Sequence, residues 1–393
     1  MDLSYSTEEM SFRNEVRDWL AANLPADIRE KVQSYRHLSK EDYLRWHKIL
    51  AAKGWSVPHW PVEWGGTGWD ITQRYIYDEE FALAGAPGLP PFGPAMCASV
   101  LLKFGTPTQK EQFLPRIREG DDFWVQGYSE PGAGSDLAAL KTRAERQGDH
   151  YLVNGQKIWT TLGHYGDWIF CLVRTDSQAE KRQEGISFLL MDMKTPGITV
   201  RPLILMDGGH EVNEIFFDNV KVPAQNLVFE ENKGWTVAKY LLGHERMGSG
   251  SVGASRRELA ALRALAGREM KNGKPLLDDA RFKDKLSRVE VELDALEITS
   301  MRFLDKMRRT GQPPGADVSM LKIRGTEVQQ MITELAMQAA GPNAQPFKAV
   351  DDGAIDHFTS RLAPRYFNYR KASIYAGSNE IQRNIIAKMT LGL

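Results

Sequence analysis

Tyr128-Ser129-Glu130-Pro131-Gly132-Ala133-Gly134-Ser135-Asp136 lies where the first of three texture zones gives way to the second. Two glycines, a proline and two hydroxyls in so short a run make a turn. Such a turn leaves backbone N–H groups free to meet oxyanions or carbonyls. By itself the run reads equally well as a helix-capping loop. Upstream of it, from about residue 6 to 122, the texture is helical. Ser6, Glu8 and Glu9 start an amphipathic stretch with Phe12, Val16, Leu20 and Leu24 at helical spacing. A second runs from Ser39 to Lys53 and is ended by Gly54. An irregular loop, Trp55 to Trp69, leads into a helix from Thr72 to Ala84. A second irregular loop, Pro87 to Pro94, leads into another helix from Ala95 to Phe104.

Downstream the period changes. His150 to Thr161 reads as two strands joined at Asn154-Gly155, a short-range hairpin signal. Strand-like runs follow at Trp168–Arg174, Gly185–Met193, Ile198–Pro202 and Val212–Val222, the pattern of a small β-barrel or sandwich. From Gly234 the helical period returns over about 235–270, 278–309, 316–340 and 364–388. Four such stretches with short connections suggest a bundle. The expected class is α+β multidomain. Its parts are an N-terminal helical domain (1–123), a central β-barrel/sandwich domain (124–232) and a C-terminal four-helix bundle (233–393).

Bulk properties narrow the function. The chain has 393 residues and a formal charge of −1, with 26% charged residues mixed along it. No basic stripe appears, which argues against nucleic acid or an anionic membrane as partner. The longest apolar runs, Trp168–Val173 and Ile186–Met191, are far too short to span a bilayer. The N-terminus is acidic and lacks an apolar core, so it reads as neither a secretory signal nor a transit peptide. Cys97 and Cys171 are too few for a disulfide scaffold or a zinc site and read as small buried side chains. Together these features point to the cytoplasm.

Gly248, Gly250 and Gly253 match G-x-G-x-x-G, but a dinucleotide fingerprint needs a buried strand running into the first glycine. Gly243-His244-Glu245-Arg246-Met247 is too polar for that. The glycines read better as a helix face approached closely by a neighbouring helix or a flat ligand. Two further segments carry chemistry. Gly155 to Thr161 is a strand bearing Trp159 and hydroxyls. Ile374 to Lys388 is a polar turn, containing Gly377-Ser378-Asn379-Glu380, that leads into an amphipathic helix.

The order and spacing of these three segments on a helix–barrel–bundle layout resemble the acyl-CoA dehydrogenase family over essentially the whole chain. The resemblance implies FAD as cofactor. It places Ser129, Trp159 and Thr161 beside the flavin ring. Gln126 stands where an aromatic flavin contact is frequent. Gln338 matches a glutamine that binds FAD across a subunit interface, and Ser378 and Glu380 match polar positions facing FAD. It puts Ser135 on the acyl-CoA thioester, as substrate contacts with Tyr375 and Ala376, and makes Arg246 a support of the active-site helix.

Two departures matter. Many family members carry a glutamate base after the terminal tyrosine, where this chain has Ala376. A subset resembling isovaleryl- and long-chain-type enzymes places the base just before the supporting arginine, which here is Glu245. Removing a proton α to a thioester needs a carboxylate within hydrogen-bond reach, whatever element delivers it. Ala376 still supplies the backbone N–H that polarises the carbonyl. Glu245 also reads as a surface carboxylate paired with Arg246. The second departure is at Arg268 to Pro275, where the family's R-x-Q-F-G is lost, and at Gly341-Pro342. These altered interface positions imply either a divergent homotetramer or a heterotetramer with a paralogous subunit, as in large subunits of the pimeloyl-CoA and steroid-side-chain type. The implied activity is α,β-dehydrogenation of an acyl-CoA to the enoyl-CoA, with electrons passed to an electron-transferring flavoprotein. Alternatives are a monooxygenase or desulfinase of the same fold, or a non-catalytic partner subunit. The loop Ala86 to Ala98 either shapes the acyl pocket or is a connector.

Overall fold

A computed structural model describes residues 4–244, 250–312, 314–345 and 358–393. The N-terminal part holds α1 (Thr7–Asn23), α2 (Ala26–Gln33), α3 (Lys40–Lys53), α4 (Ile71–Leu83), α5 (Ala98–Phe104) and α6 (Pro107–Glu119). Capping boxes start four of them: Ser6 with Glu9, Ser39 with Asp42, Asp70 with Gln73, and Thr106 with Gln109. Each box satisfies two helix-end N–H groups at once, which fixes where the helix begins. The expected helix from Ala95 to Phe104 is α-helical only from Ala98, because a π-turn occupies Phe92–Cys97 ahead of it. The Trp/Gly-rich loop is no mere spacer. Trp55 and Trp69 join Trp19, Trp46, Tyr77 and Phe81 in one aromatic core.

The middle part is one eight-stranded sheet. Its strands are β1 (Trp124–Gly127), β2 (Arg143–Gln147), β3 (His150–Thr161), β4 (Trp168–Arg174), β5 (Ile186–Asp192), β6 (Ile198–Ile204), β7 (His210–Pro223) and β8 (Leu227–Val228). They run in the order β6-β7-β3-β2-β4-β5-β8, and β1 pairs in parallel with β4. The two apolar runs are β4 and β5, and both faces of each are buried. Ile169, Cys171, Val173, Leu189 and Met191 face the sheet's own core. Phe170, Leu172, Phe188 and Leu190 pack with Val100, Leu101, Phe113 and Leu114 from α5 and α6. That is why these strands show no alternation.

One hairpin is displaced from its expected place. Asn154-Gly155 is not a turn: β3 runs unbroken through it. The two-residue turn falls at Gly148-Asp149, with Gln147 opposite His150. Gly155 instead sits at a bulge against β7, with φ of 151°. A Cβ there would lie 2.7 Å from the Thr142 backbone, so the glycine answers to close strand approach.

The C-terminal part is helical: α7 (Gly234–His244), α8 (Val252–Arg268), α9 (Ala280–Thr310), α10 (Ser319–Ala340), α11 (Leu362–Tyr369) and α12 (Asn379–Met389). Between α8 and α9 lies a small hairpin of β9 (Met270–Lys271) and β10 (Lys274–Pro275). Two of the four expected long stretches are therefore each two helices. The core is built from α8, α9 and α10 through Leu262, Leu293, Leu296, Val328 and Ile332. A Cβ on Gly253 would lie 2.9 Å from the Glu79 carboxylate and 3.0 Å from its carbonyl oxygen. The closely approaching body at that glycine is α4, while Gly248 lies outside the described residues. Cys97 and Cys171 are free and buried. Among the described residues no helix is long and apolar enough to cross a membrane.

Candidate active site

One wall of the site is the turn after β1. Glu130 and Ala133 exchange backbone hydrogen bonds of 2.8 and 3.0 Å across Pro131-Gly132. Beneath the turn the Glu130 carboxylate accepts from Lys141 N (2.6 Å), Thr142 N (2.9 Å) and Lys157 Nζ (2.7 Å). Lys157 is wholly buried on β3 and also donates to the Tyr128 carbonyl at 3.2 Å. Burial alone would raise the Glu130 pKa. The ammonium beside it and the donors around it outweigh that and hold it below the usual carboxylate range. Ile158 N donates to the Ser129 carbonyl at 2.9 Å, so turn and strand move as one piece. Gly127 allows the close approach of β1 to β4, since a Cβ there would stand 2.3 Å from Cys171 Sγ.

The floor is the end of β3. Its register against β7 slips between Lys157 and Thr160. Trp159 sits in that bulge with φ of 62°, and 57% of it is exposed. A left-handed tryptophan is strained, and a large indole turned out of a strand is costly unless something covers it. On the same turn and strands Gln126, Ser129 and Thr161 are half-buried, and Ser135 is exposed on the turn. Among the described residues none of these four side chains makes a hydrogen bond. Above Gly132 and Gly134 there is open space.

The second wall is the connection from α11 to α12. Lys371 pairs with Glu211, and Leu162 N donates to the Glu211 carbonyl at 2.8 Å. This ties the connection to the sheet one residue beyond Thr161. Ile374, Tyr375 and Ala376 are exposed. Ala376 and Gly377 are consecutive left-handed residues, with φ of 50° and 76°. Their N–H groups meet no acceptor among the described residues. Ser378 then caps α12, accepting from Ile381 N at 3.3 Å, and Glu380 is exposed in the first turn.

The structure thus gathers Gln126, Ser129, Ser135, Trp159, Thr161, Tyr375 and Ala376 onto two tied walls. It does not bring in Gln338, which lies exposed near the far end of α10, held by Lys285 at 2.7 Å. Glu245 and Arg246 lie outside the described residues. The Glu130–Lys157 and Glu211–Lys371 pairs were not read from the sequence. The first had a signal: a lysine at an inward position of an alternating strand needs a buried partner.

An exposed, strained indole on a sheet whose neighbouring turn and strands carry polar side chains without hydrogen bonds among the described residues fits a flat heteroaromatic with polar edges. The isoalloxazine of a flavin has that shape and chemistry. Helical, β and helical parts in series with such a cradle define a flavin-dependent oxidoreductase. The chain belongs to the acyl-CoA dehydrogenase family, whose members are FAD flavoproteins acting on acyl-CoA. It matches that family's N-terminal domain over residues 6–121, its middle domain over 126–220 and its C-terminal domain over 232–391. It is 38% identical over 390 residues to the acyl-CoA dehydrogenase IpdE1 of Mycobacterium tuberculosis, covering 97% of each chain. It superposes on a chain of the ChsE4-ChsE5 complex from the same organism with a TM-score of 0.84 and 32% identity, covering 100% of this chain and 99% of that one. The Tcur3481-Tcur3483 steroid acyl-CoA dehydrogenase gives a TM-score of 0.86 and 30% identity, with 100% and 99% covered.

Proposed function

We propose that the protein oxidises the Cα–Cβ bond of an acyl-CoA thioester to the trans-2-enoyl-CoA. The observation that carries this reading is the Ala376-Gly377 turn. Its two left-handed residues have N–H groups that meet no acceptor among the described residues, on a connection tied through Glu211 to the sheet that carries the exposed Trp159. A backbone N–H so placed can polarise a thioester carbonyl and stabilise the enolate that forms as the α-proton leaves. Tyr375, Ala376 and Ser135 hold the thioester in this reading, with Arg246 supporting them. Glu245 takes the α-proton as general base in this reading. Bound FAD supplies the acceptor for the hydride leaving Cβ. Gln126, Ser129, Trp159 and Thr161 orient it, and Ser378 and Glu380 lie toward it. Gln338, exposed and remote from this cradle, reaches FAD in a neighbouring subunit. The electrons then leave to an electron-transferring flavoprotein in the cytoplasm.

The assembly in this reading is a heterotetramer with a paralogous subunit. Where the family resemblance implies R-x-Q-F-G contacts to a neighbour's cofactor, this chain has the β9–β10 hairpin, with Asn272 and Gly273 left-handed at its tip. Two of the similar solved structures are named as two-component assemblies, and one of those as a steroid enzyme. A steroid-derived acyl-CoA therefore belongs beside straight and branched chains in any substrate panel. The test is anaerobic mixing of the FAD-loaded protein, alone and with its partner, with that panel. Loss of the oxidised-flavin absorbance and formation of enoyl-CoA support the reading. Flavin that is reduced only by an external donor and then consumes oxygen with substrate would point to a monooxygenase instead.

A further inference from the structure

The wall that carries Ala376 is held by one polar stripe on α10. Lys322, Thr326, Gln330 and Thr333 follow one another at helical spacing, so they share a face. Each meets the segment from Tyr369 to Asn379. Lys322 Nζ donates to the Ala372 carbonyl at 3.0 Å and to Asn379 Oδ1 at 3.2 Å. Asn379 Nδ2 donates to Thr326 Oγ1 at 3.1 Å, and that hydroxyl donates to the Lys322 carbonyl at 3.0 Å. Gln330 Nε2 donates to the Tyr369 carbonyl at 3.2 Å and to Ser373 Oγ at 3.3 Å. Thr333 Oγ1 accepts from Arg370 at 3.0 Å. Lys322 and Asn379 are both buried, with 6% and 3% of their surface exposed.

Two consecutive left-handed residues, one of them alanine, do not hold themselves. A non-glycine residue in that region is strained and persists only where its surroundings over-determine it. Lys322 grips the loop at both ends, at Ala372 and at Asn379, while Ile374 to Gly377 between them are exposed. A buried ammonium is also an expensive way to hold a loop. Replacing it with an apolar side chain would take from the Ala372 carbonyl its Lys322 donor and leave Asn379 Oδ1 to the Thr326 hydroxyl, 3.3 Å away. The Nζ lies 5.9 Å from the Tyr375 ring centroid, so its charge sits just behind the thioester-facing wall.

We propose that Lys322 is a positioning residue for α-proton removal: through its bracket on Ala372 and Asn379 it fixes the Ala376 N–H where the thioester oxygen must lie. The inference rests on the proposed acyl-CoA reading, and its test separates the two. Lys322→Met and Lys322→Arg are compared with the parent in the FAD-loaded assembly. The first readout is amide exchange of the peptide spanning residues 373–378 in the apoprotein. The second is the charge-transfer band formed with a 3-thia-acyl-CoA, which reports enolate formation without turnover. The third is the anaerobic bleaching rate set against acyl-CoA affinity. In Lys322→Met the loop exchanges faster and the band weakens at saturation. Bleaching slows by about 10- to 100-fold while affinity changes by less than about threefold, as expected when an oxyanion donor is misplaced. Lys322→Arg, which keeps charge and donors, recovers most of the rate. If Lys322→Met fails to fold, Asn379→Ala opens the same bracket and is read in the same way. Loop exchange and band both unchanged in a folded variant overturn the inference. A parent protein that no acyl-CoA bleaches overturns the functional reading beneath it.

Discussion

At the scale of single residues, buried charge decides what can change. Glu130 and Lys157 spend their charges on each other and on the backbone of the turn that carries Ser129 and Ser135. Breaking a buried pair by removing one partner costs about 3–5 kcal/mol, because the other charge stays buried and unpaired. Lys157→Met is therefore expected to lower the unfolding free energy by about that amount, read by urea titration. It should also weaken FAD binding, read by flavin fluorescence, because the turn loses its anchor to β3. The pH dependence has a defined sign. The folded-state pKa of Glu130 lies below its unfolded value of about 4.3. Its contribution is complete above that value and is lost as pH falls through the folded pKa. A Glu130→Gln variant should lose stability less steeply than the parent below about pH 4. Thermal melts across that range check the slope. Glu245 belongs to this scale as well. As the general base its replacement by glutamine should slow flavin bleaching by about 10²- to 10⁴-fold, with acyl-CoA binding kept. An unchanged bleaching rate would remove Glu245 from the mechanism.

At the scale of elements, most of the layout was legible and the misreadings have physical causes. Ser6, Ser39 and Asp70 each begin a helix because capping boxes are local chemistry. The same signature at Thr106–Gln109, with Pro107 at the first helical position, marks α6 and was there to be read. Asn154-Gly155 misled because a glycine required by a neighbouring strand looks, in one dimension, like a glycine required by a turn. The stretch at 364–388 keeps a helical period on either side of a break, and the polar turn at Gly377-Ser378-Asn379-Glu380 marks that break in the sequence. A 3-10 turn at Arg370–Ser373, the left-handed pair Ala376-Gly377 and the Ser378 cap divide it, and that break carries the proposed thioester contacts. Trp159 and Thr161 could be named from the motif, but not the bulge that turns the indole outward. Tertiary pairing with β7 sets it. Gly253 offers a test at this scale. Adding a methyl group forces it against Glu79, so Gly253→Ala should destabilise the α4–α8 contact by about 1–3 kcal/mol, measured as a lower urea midpoint.

At the scale of the whole molecule, the two walls of the cradle come from the sheet and from the last helical part. They are joined at Glu211 through Lys371 and the Leu162 backbone. Gln338 and the β9–β10 hairpin lie elsewhere on the helical part. A cofactor that uses them and the cradle together must span subunits. If the partner is a paralogue, the chain expressed alone should bind FAD weakly and turn yellow when co-expressed with it. Ligand linkage then predicts that FAD at 100 times its Kd raises the stability of the assembly by about 2.7 kcal/mol. A yellow, fully loaded homotetramer from this chain alone would exclude the need for a second subunit.

The central claim is that this cradle oxidises an acyl-CoA between Cα and Cβ. Its most direct measurement is the absorbance of the oxidised flavin after anaerobic mixing of the loaded protein with acyl-CoAs, followed by mass analysis of the thioester. The account predicts bleaching by at least one acyl-CoA, with a product two hydrogens lighter and nothing added. Flavin that stays oxidised with every acyl-CoA while those thioesters demonstrably bind would contradict it.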